Sequence, residues 1–307
     1  MTQDPNPVII EAALNGGTPR AANPHVPQST EELVRDGLAC LRAGAAVVHS
    51  HLAELDVSPS RAAELYLAHF EPMLDAFPDA LLYPTIVFNV DTIEERVGHL
   101  PLLAERCGLR IGLMEPGSGS LVPTGDDGLP LPRNTAYVNT PAEIRYMAQL
   151  CEKWGLGPSM VIFEPGFVRH ALVYQRAGHL PRGVFMRLTL CGEASYRGPG
   201  HVDLLCGMPN TPRSLDVYLD MLADAPVSWA VSVVSGNVFE NGVARHALER
   251  GGHLRVGLED YAGPEQPTNL ELVERAIEVA AEVGRPIASS AEAAVLLDLP
   301  ERRAVSV

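Results

Sequence analysis

The sequence predicts an α/β fold of the (β/α)8 TIM-barrel kind, and three observations predict it. Eight short apolar runs recur along the chain, and amphipathic segments of helical period fall between them. The length, 307 residues, is one that a single barrel of this kind commonly occupies. A doubly wound open sheet is the alternative arrangement for the same alternation. No repeat of fixed period and no low-complexity tract interrupts the pattern.

The strand candidates, in order, are "VIIEAAL" (8–14), "AAVVHSH" (45–51), "LLYPTIVF" (81–88), "LRIGLM" (109–114), "MVIFE" (160–164), "GVFMRLTL" (183–190), "SWAVSVV" (228–234) and "LRVGLE" (254–259). Such runs suit strands that are covered on both faces. Helical patterns lie between them. In 29–44, Ser29 or Thr30 can cap the start and Gly44 can close the end. In 268–284, Thr268 caps a run with apolar positions at helical spacing and a glycine at its close. Two connections are long, 115–139 and 191–212. Both follow predicted strands, so in a single barrel over 1–307 both lie on the C-terminal face, where active-site loops belong.

Bulk composition narrows the function classes. Hydrophobic residues make up 46% of the chain and charged residues 20%, enough for a sizeable core. The formal net charge of -15 argues against a nucleic-acid or anionic-membrane partner. The start, "MTQDPNPVIIEAAL", has no basic region ahead of a long apolar run, which predicts no secretory signal. No stretch approaches the ~20 apolar residues that a membrane span needs. Five cysteines, at 40, 107, 151, 191 and 206, show no close-paired spacing. They read as reduced thiols in a cytoplasmic protein, several of them core residues.

Chemistry gathers at the strand ends. His49 and His51 close the second run; side chains on a strand alternate faces, so both point the same way, roughly 6–7 Å apart along the backbone. That spacing lets two imidazoles converge on one metal ion, although His-x-His alone is a weak signal. Glu259 and Asp260 end the eighth run. In a closed barrel strand eight adjoins strand one and strand two lies just beyond, so both clusters open at one mouth. Two histidines and a carboxylate leave open positions on a divalent ion, the usual catalytic arrangement, and His49, His51 and Glu259 can supply that set. Arg255, Gly257 and Glu259 share one strand face. Asp260 faces outward on an ideal strand and reaches the site only if the chain turns at "DYAGPEQP". The bland alternatives are a surface turn for the acids and an interior salt bridge for Arg255.

The remaining polar residues carry weaker signals. Glu164 either enters the pocket or caps the next helix, and Trp229 reads as barrel packing. His25, His170, His179, His201 and His253 lack partners at metal spacing and read as structural or solvent-facing. Arg20, Arg187 and Arg197 are candidates for meeting the phosphates of a ligand, with no glycine-rich cradle to single them out.

Taken together, "EAALNGG" (11–17), "AGAAVVHSHL" (43–52), "EPGF" (164–167), "SWAVSVVSG" (228–236), "GGHLRVGLED" (251–260) and "TNLELV" (268–273) resemble the β-keto acid cleavage enzyme family. The resemblance runs in the same order from near residue 8 to about 300. It implies a (β/α)8 barrel, a zinc ion (or another divalent transition metal) and a Claisen-type exchange in which a β-keto acid and acetyl-CoA give acetoacetate and a new acyl-CoA. By motif, His49, His51 and Glu259 match the zinc ligands, Asp260 the proposed base and Arg255 its partner. Thr85, in "YPTI", falls where the family usually has a substrate-binding Ser. The family's tetramers imply a homo-oligomer. The chemistry is coherent: a 3-oxo acid offers two oxygens that chelate one cation, which stabilises the enolate formed when Asp260 removes a proton from C2. Arg255 would hold that carboxylate and keep it ionised.

Departures from the family pattern are informative. Many members follow the second histidine with Val-Arg-Asp or Ile-Arg-Glu, where this chain has Leu52-Ala53-Glu54. "TIVFN" replaces the usual Ser-Thr-Gly-Gly, and "MEPGSGS" the usual Asn-x-Gly-Ser. The family's type enzyme has a Glu after its first strand to hold a substrate ammonium, and Thr18 stands there in this chain, which predicts a different substrate. Asn15, Thr18, Thr85, Glu115 and Ser118 are the candidates for the altered pocket, with turn roles as the alternative for Asn15 and Ser118. Two other readings compete, a metal-dependent hydrolase or lyase on the same barrel and a ligand-binding barrel without turnover. A hydrolase of the amidohydrolase type usually carries His-x-His on its first strand and further histidines on later ones, a pattern absent here.

Overall fold

The computed structural model describes residues 6–134, 136–198 and 200–302. The first five residues of the amino-terminal stretch and the last five of the chain therefore lie outside the described residues. The strands are β1 (Ile10–Ala13), β2 (Val47–Ser50), β3 (Leu81–Pro84), β4 (Ile111–Leu113), β5 (Gly157–Ile162), β6 (Phe185–Cys191), β7 (Met208–Pro209), β8 (Ser228–Val234) and β9 (His253–Val256). The helices are α1 (Thr30–Ala43), α2 (Pro59–Ala76), α3 (Ile93–Val97), α4 (His99–Arg106), α5 (Pro141–Trp154), α6 (Pro165–Arg176), α7 (Pro212–Leu222), α8 (Val243–Glu249), α9 (Asn269–Glu282) and α10 (Ser290–Leu296).

All ladders are parallel and run in the order β3-β2-β1-β9-β8-β6-β5-β4, with the two-residue β7 added on β6. The pairing of β1 with β9 joins the first and last strands, and β3 and β4 approach across the remaining seam. The result is the predicted eight-stranded barrel, nearly closed. The two helices read from the sequence form for the expected reasons. Ser29 accepts from the Glu32 N–H to start α1, Thr268 does the same with Glu271 for α9, and Gly44 ends α1 at a φ of 124°.

Two strands stop earlier than the apolar runs suggest. The run 81–88 leaves the sheet at Pro84, because side chains take over the next backbone groups: the Thr85 N–H donates to the Tyr66 hydroxyl and the Thr85 carbonyl oxygen meets His99 Nε2. The run 254–259 stops at Val256. Gly257 has a φ of 138°, and the Tyr261 N–H returns to its carbonyl in a tight turn. Only glycine fits here, since a Cβ would sit 2.0 Å from the Ala13 carbonyl oxygen.

The apolar core is the sheath between strands and helices. The barrel interior is polar: Glu11, Ser159, Arg187, Thr189, Ser232 and Arg255 are all buried. Among the described residues no helix is long and apolar enough to cross a membrane. Connections 115–139 and 191–212 are joined to each other. The Leu205 N–H donates to the Val122 carbonyl and the Thr124 N–H to that of Val202. The two together line the barrel mouth through Pro123, Leu131, Tyr196 and Leu204.

Candidate active site

His49 is the third residue of β2, and His51 lies just past its end. The turn after β9 brings Glu259 to them: His49 Nε2 is 3.3 Å from Glu259 Oε2, and His51 Nε2 is 3.3 Å from Oε1. One ligand atom from each of the three lies within 4.8 Å of the others. His49 Nδ1 is 3.1 Å from the Tyr83 carbonyl oxygen and donates to it, which leaves the Nε2 lone pair facing the carboxylate. Burial pushes His49 well below the usual imidazole range, so the ring is neutral, as a metal ligand must be.

Glu259 Oε2 is buried without a hydrogen-bond partner among the described residues. Burial alone would raise the pKa of this carboxyl. Arg255, then His51 and His49, outweigh that and hold it well below the ordinary carboxylate range. Two imidazole nitrogens and an ionised carboxylate converging on one point suit a divalent cation, and an orphaned buried oxygen beside them is the atom such a cation would satisfy. Charge agrees. The Arg255 guanidinium faces three carboxylates, Glu11, Glu259 and Asp260, at 2.6, 2.6 and 2.7 Å. Against Arg255 and Arg187, the second buried guanidinium of this interior, the three carboxylates leave one negative charge to be neutralised.

Arg255, whose side chain is 1% exposed, organises this cluster. Its Nε donates to Asp260 Oδ2 at 2.7 Å, its Nη1 to Glu11 Oε1 at 2.6 Å and to the Tyr83 hydroxyl at 3.1 Å. Tyr83 in turn donates to Glu11. Because the chain turns at Gly257, both acids reach the interior: Asp260 does not point outward, as an ideal strand would have it. Burial, with Glu259 beside it, lifts Asp260 above the ordinary aspartate value against the pull of Arg255. An ionised carboxylate of raised basicity, held rigidly, can accept a proton from carbon.

The first-strand turn fastens the ligands. Asn15 Nδ2 donates to the His51 carbonyl at 3.1 Å, and its Oδ1 accepts the His51 N–H at 2.8 Å. Asn15 thus clamps a metal-binding candidate by its backbone. Gly16, at a φ of 51°, packs under Glu259, whose Cγ would be 2.3 Å from a Cβ there. Thr18 donates to the Leu258 carbonyl at 2.7 Å and lines the cavity in front of the cluster.

That cavity has a volume of about 750 Å³. Its walls include Arg187, Thr189 and Ser232 from β6 and β8, apolar Val161 and Phe163, and Arg255, Glu259 and Asp260. The other sequence candidates fall into place as follows. Thr85 lies beside Tyr66 and Phe88 and is not among the residues that line this cavity. Glu115 is buried, accepts the Tyr137 hydroxyl at 2.5 Å, and is raised by burial. Ser118 ties a turn, exchanging hydrogen bonds with the Asn139 backbone. Glu164 is not among the residues that line the cavity; it holds the N-cap position of α6 without a side-chain capping bond, and its Oε1 accepts the Gly207 N–H at 2.9 Å and anchors the second loop. Arg20 pairs with Glu32, Arg197 donates to the Thr124 carbonyl at the cavity rim, and Trp229 packs against the core. His253 accepts the Ile9 N–H at 3.0 Å, and His170 meets the Pro116 carbonyl at 2.8 Å. All five cysteines are buried and unpaired.

Sequence reasoning missed Glu11, Tyr83 and the Thr189–Ser232 pair, whose hydroxyl oxygens are 3.1 Å apart. For Glu11 a signal existed: a carboxylate inside a strand that is otherwise apolar has to meet a buried cation. For Tyr83 no signal existed, since a tyrosine in a strand is ordinarily packing.

With this geometry described, comparison with known proteins is informative. The family model for "beta-keto acid cleavage enzyme" matches residues 7–299. The 3-keto-5-aminohexanoate cleavage enzyme of Acetoanaerobium sticklandii is 30% identical over 95% of this chain and 98% of its own length. The 3-dehydrocarnitine:acetyl-CoA trimethylamine transferase of Rhizobium meliloti is 29% identical over 96% and 97%. The 3-oxoadipate:acetyl-CoA acetyltransferase of Cupriavidus necator is 28% identical over 98% and 96%. Among solved structures, ObcA in binary complex with oxaloacetate superposes with a TM-score of 0.65 at 17% identity, covering 91% of this chain and 68% of that one. At that identity the likeness is one of fold.

Proposed function

The chain belongs to the β-keto acid cleavage enzyme family, and from that premise we propose that it exchanges acyl groups between a β-keto acid and acetyl-CoA, releasing acetoacetate and a new acyl-CoA, with zinc as its metal. The observation that carries the reading is Glu259: its orphaned Oε2 faces His49, and its neighbour Asp260 is gripped by Arg255. The names of the relatives from Rhizobium and Cupriavidus, both written as acetyl-CoA transfers, support the reaction type.

His49, His51 and Glu259 would hold the ion, and when bound it supplies Lewis-acid polarisation of the keto oxygen. Asp260 accepts a proton from C2 of the keto acid. The resulting carbanion attacks the thioester carbonyl carbon of acetyl-CoA, forming a carbon–carbon bond as the CoA thiolate leaves. The thiolate then adds to the original keto carbon, and the bond from that carbon to C2 breaks to give the new acyl-CoA. Asp260 returns its proton to C2, and acetoacetate departs. Protons and electrons balance within the cycle, so no redox partner enters. Throughout, Arg255 keeps the Asp260 carboxylate aimed and anchors it against Glu11 below.

Mass spectrometry of the zinc-loaded protein with acetyl-CoA and a panel of β-keto acids tests the proposal. Acetoacetate and the matching acyl-CoA should appear in equal amounts. Free CoA without acyl transfer would instead indicate a thioester hydrolase. The subunits are proposed to form a homo-oligomer, which sedimentation velocity would read.

A further inference from the structure

Arg187 is the odd member of the barrel interior. It is 6% exposed, yet it has neither a hydrogen bond from its side chain nor an ion pair among the described residues, and its Nε is buried without a partner. Its neighbour Arg255, equally deep, has every nitrogen engaged. Leaving a guanidinium buried and unpaired is costly unless something else meets it. Its guanidinium carbon lies 5.9 Å from the centre of the Tyr83 ring, and the buried carboxylates of Glu11 and Glu115 act on it only through space, with no ion pair formed among the described residues. That ring also stacks on His49 at 4.3 Å, so a single tyrosine separates Arg187 from the metal-binding candidates.

Position says what should meet it. In the strand order, β6 lies four places from β2 in either direction, so Arg187 faces the histidines across the barrel. It lines the same cavity as Glu259 and Asp260. Thr189, the next inward residue on β6, and Ser232 beside it on β8 put two hydroxyls on the same wall. Val161, paired with Arg187 in register, supplies an apolar flank. The wall is a buried cation with two hydroxyls and a hydrophobic edge. A depth of 6% exposure is wrong for a bulky diphosphate, which suits the exposed Arg133 and Arg197 at the rim.

We propose that Arg187, assisted by Thr189 and Ser232, is a specificity-determining residue that binds a second anionic group on the far end of the β-keto acid, so that the substrate class is a β-keto acid with a terminal carboxylate. The inference rests on the proposed function, which places the keto-acid end of the substrate at His49, His51, Glu259 and Asp260. The tail then crosses the cavity to the β6 wall. Thr18, a neutral side chain whose hydroxyl is already spent on Leu258, fits a substrate without an ammonium tail.

The test uses a matched pair, 3-oxoadipate and 3-oxohexanoate, which share a carbon count and differ in a terminal carboxylate against a methyl. Initial rates with acetyl-CoA and calorimetric binding without it are measured on zinc-loaded wild type, Arg187→Met and Arg187→Lys. Wild type should favour 3-oxoadipate by roughly 10–100-fold, the worth of hydrogen bonds to a charged group. Arg187→Met should lose that preference mainly through KM, and Arg187→Lys should keep part of it. A wild-type ratio near one would overturn the proposal. Equal losses on both acids would do so too, placing Arg187 on the carboxylate that they share. If neither acid is turned over, the exchange reaction is wrong, and the calorimetric ratio still decides the role of Arg187. Thermal melting of both variants separates misfolding from lost recognition.

Discussion

Glu11→Gln is the perturbation that best examines the interior network. Glu11 and Arg255 have side chains 0% and 1% exposed and meet at 2.6 Å, and Tyr83 donates to the same Glu11 oxygen. Removing one partner of a buried pair generally costs about 3–5 kcal/mol, because the other charge stays buried. Arg255 retains Asp260 and Glu259, so the lower end applies, about 3 kcal/mol, which raises the unfolding constant about 150-fold. Urea unfolding followed by far-ultraviolet circular dichroism reads that loss as a lower midpoint at an unchanged slope. A double-mutant cycle with Arg255→Met isolates the pair and should give a coupling of about 2 kcal/mol. Zinc content should not change, since Glu11 touches none of the three ligand candidates. A Glu11→Gln variant within about 0.5 kcal/mol of wild type, or two substitutions that add to within that margin, would show that Glu11 and Arg255 are not coupled.

Three other substitutions address the site itself. His49→Ala or His51→Ala should lose metal and turnover together, read by elemental analysis alongside the exchange assay; full metal content in either variant contradicts the ligand assignment. Asp260→Asn should lower kcat by about 10²–10⁴-fold with metal retained, whereas loss of metal would move Asp260 into the ligand set. Asn15→Ala, which frees the His51 backbone, should weaken metal affinity about 10–100-fold in a competition titration with a chelating dye, as lost support of a ligand typically does. An unchanged affinity would show that the turn holds itself.

Much of this protein is legible in its sequence because the signals are local. Alternating apolar runs and capped helices specify eight strands and their covering helices, and His49 and His51 share a strand face whatever the rest of the chain does. Strand ends are less legible. Pro84 and Val256 end their strands because Tyr66, His99 and the Ala13 carbonyl, all distant in sequence, act on the next residue. The same holds for the loops: Glu164 reads as a pocket or cap residue until Gly207 folds back over it.

By itself the sequence determined the strand and helix content, the barrel arithmetic and the identity of the groups able to bind a metal, since each depends on spacing of a few residues. Only the tertiary structure decided that Gly257 turns both Glu259 and Asp260 inward, that Glu11 and Tyr83 brace Arg255, and that Arg187 faces the histidines with no side-chain hydrogen bond or ion pair among the described residues. Those relations join residues up to 244 positions apart. Closure of the barrel creates them, because it brings the first and last strands side by side and β2 opposite β6.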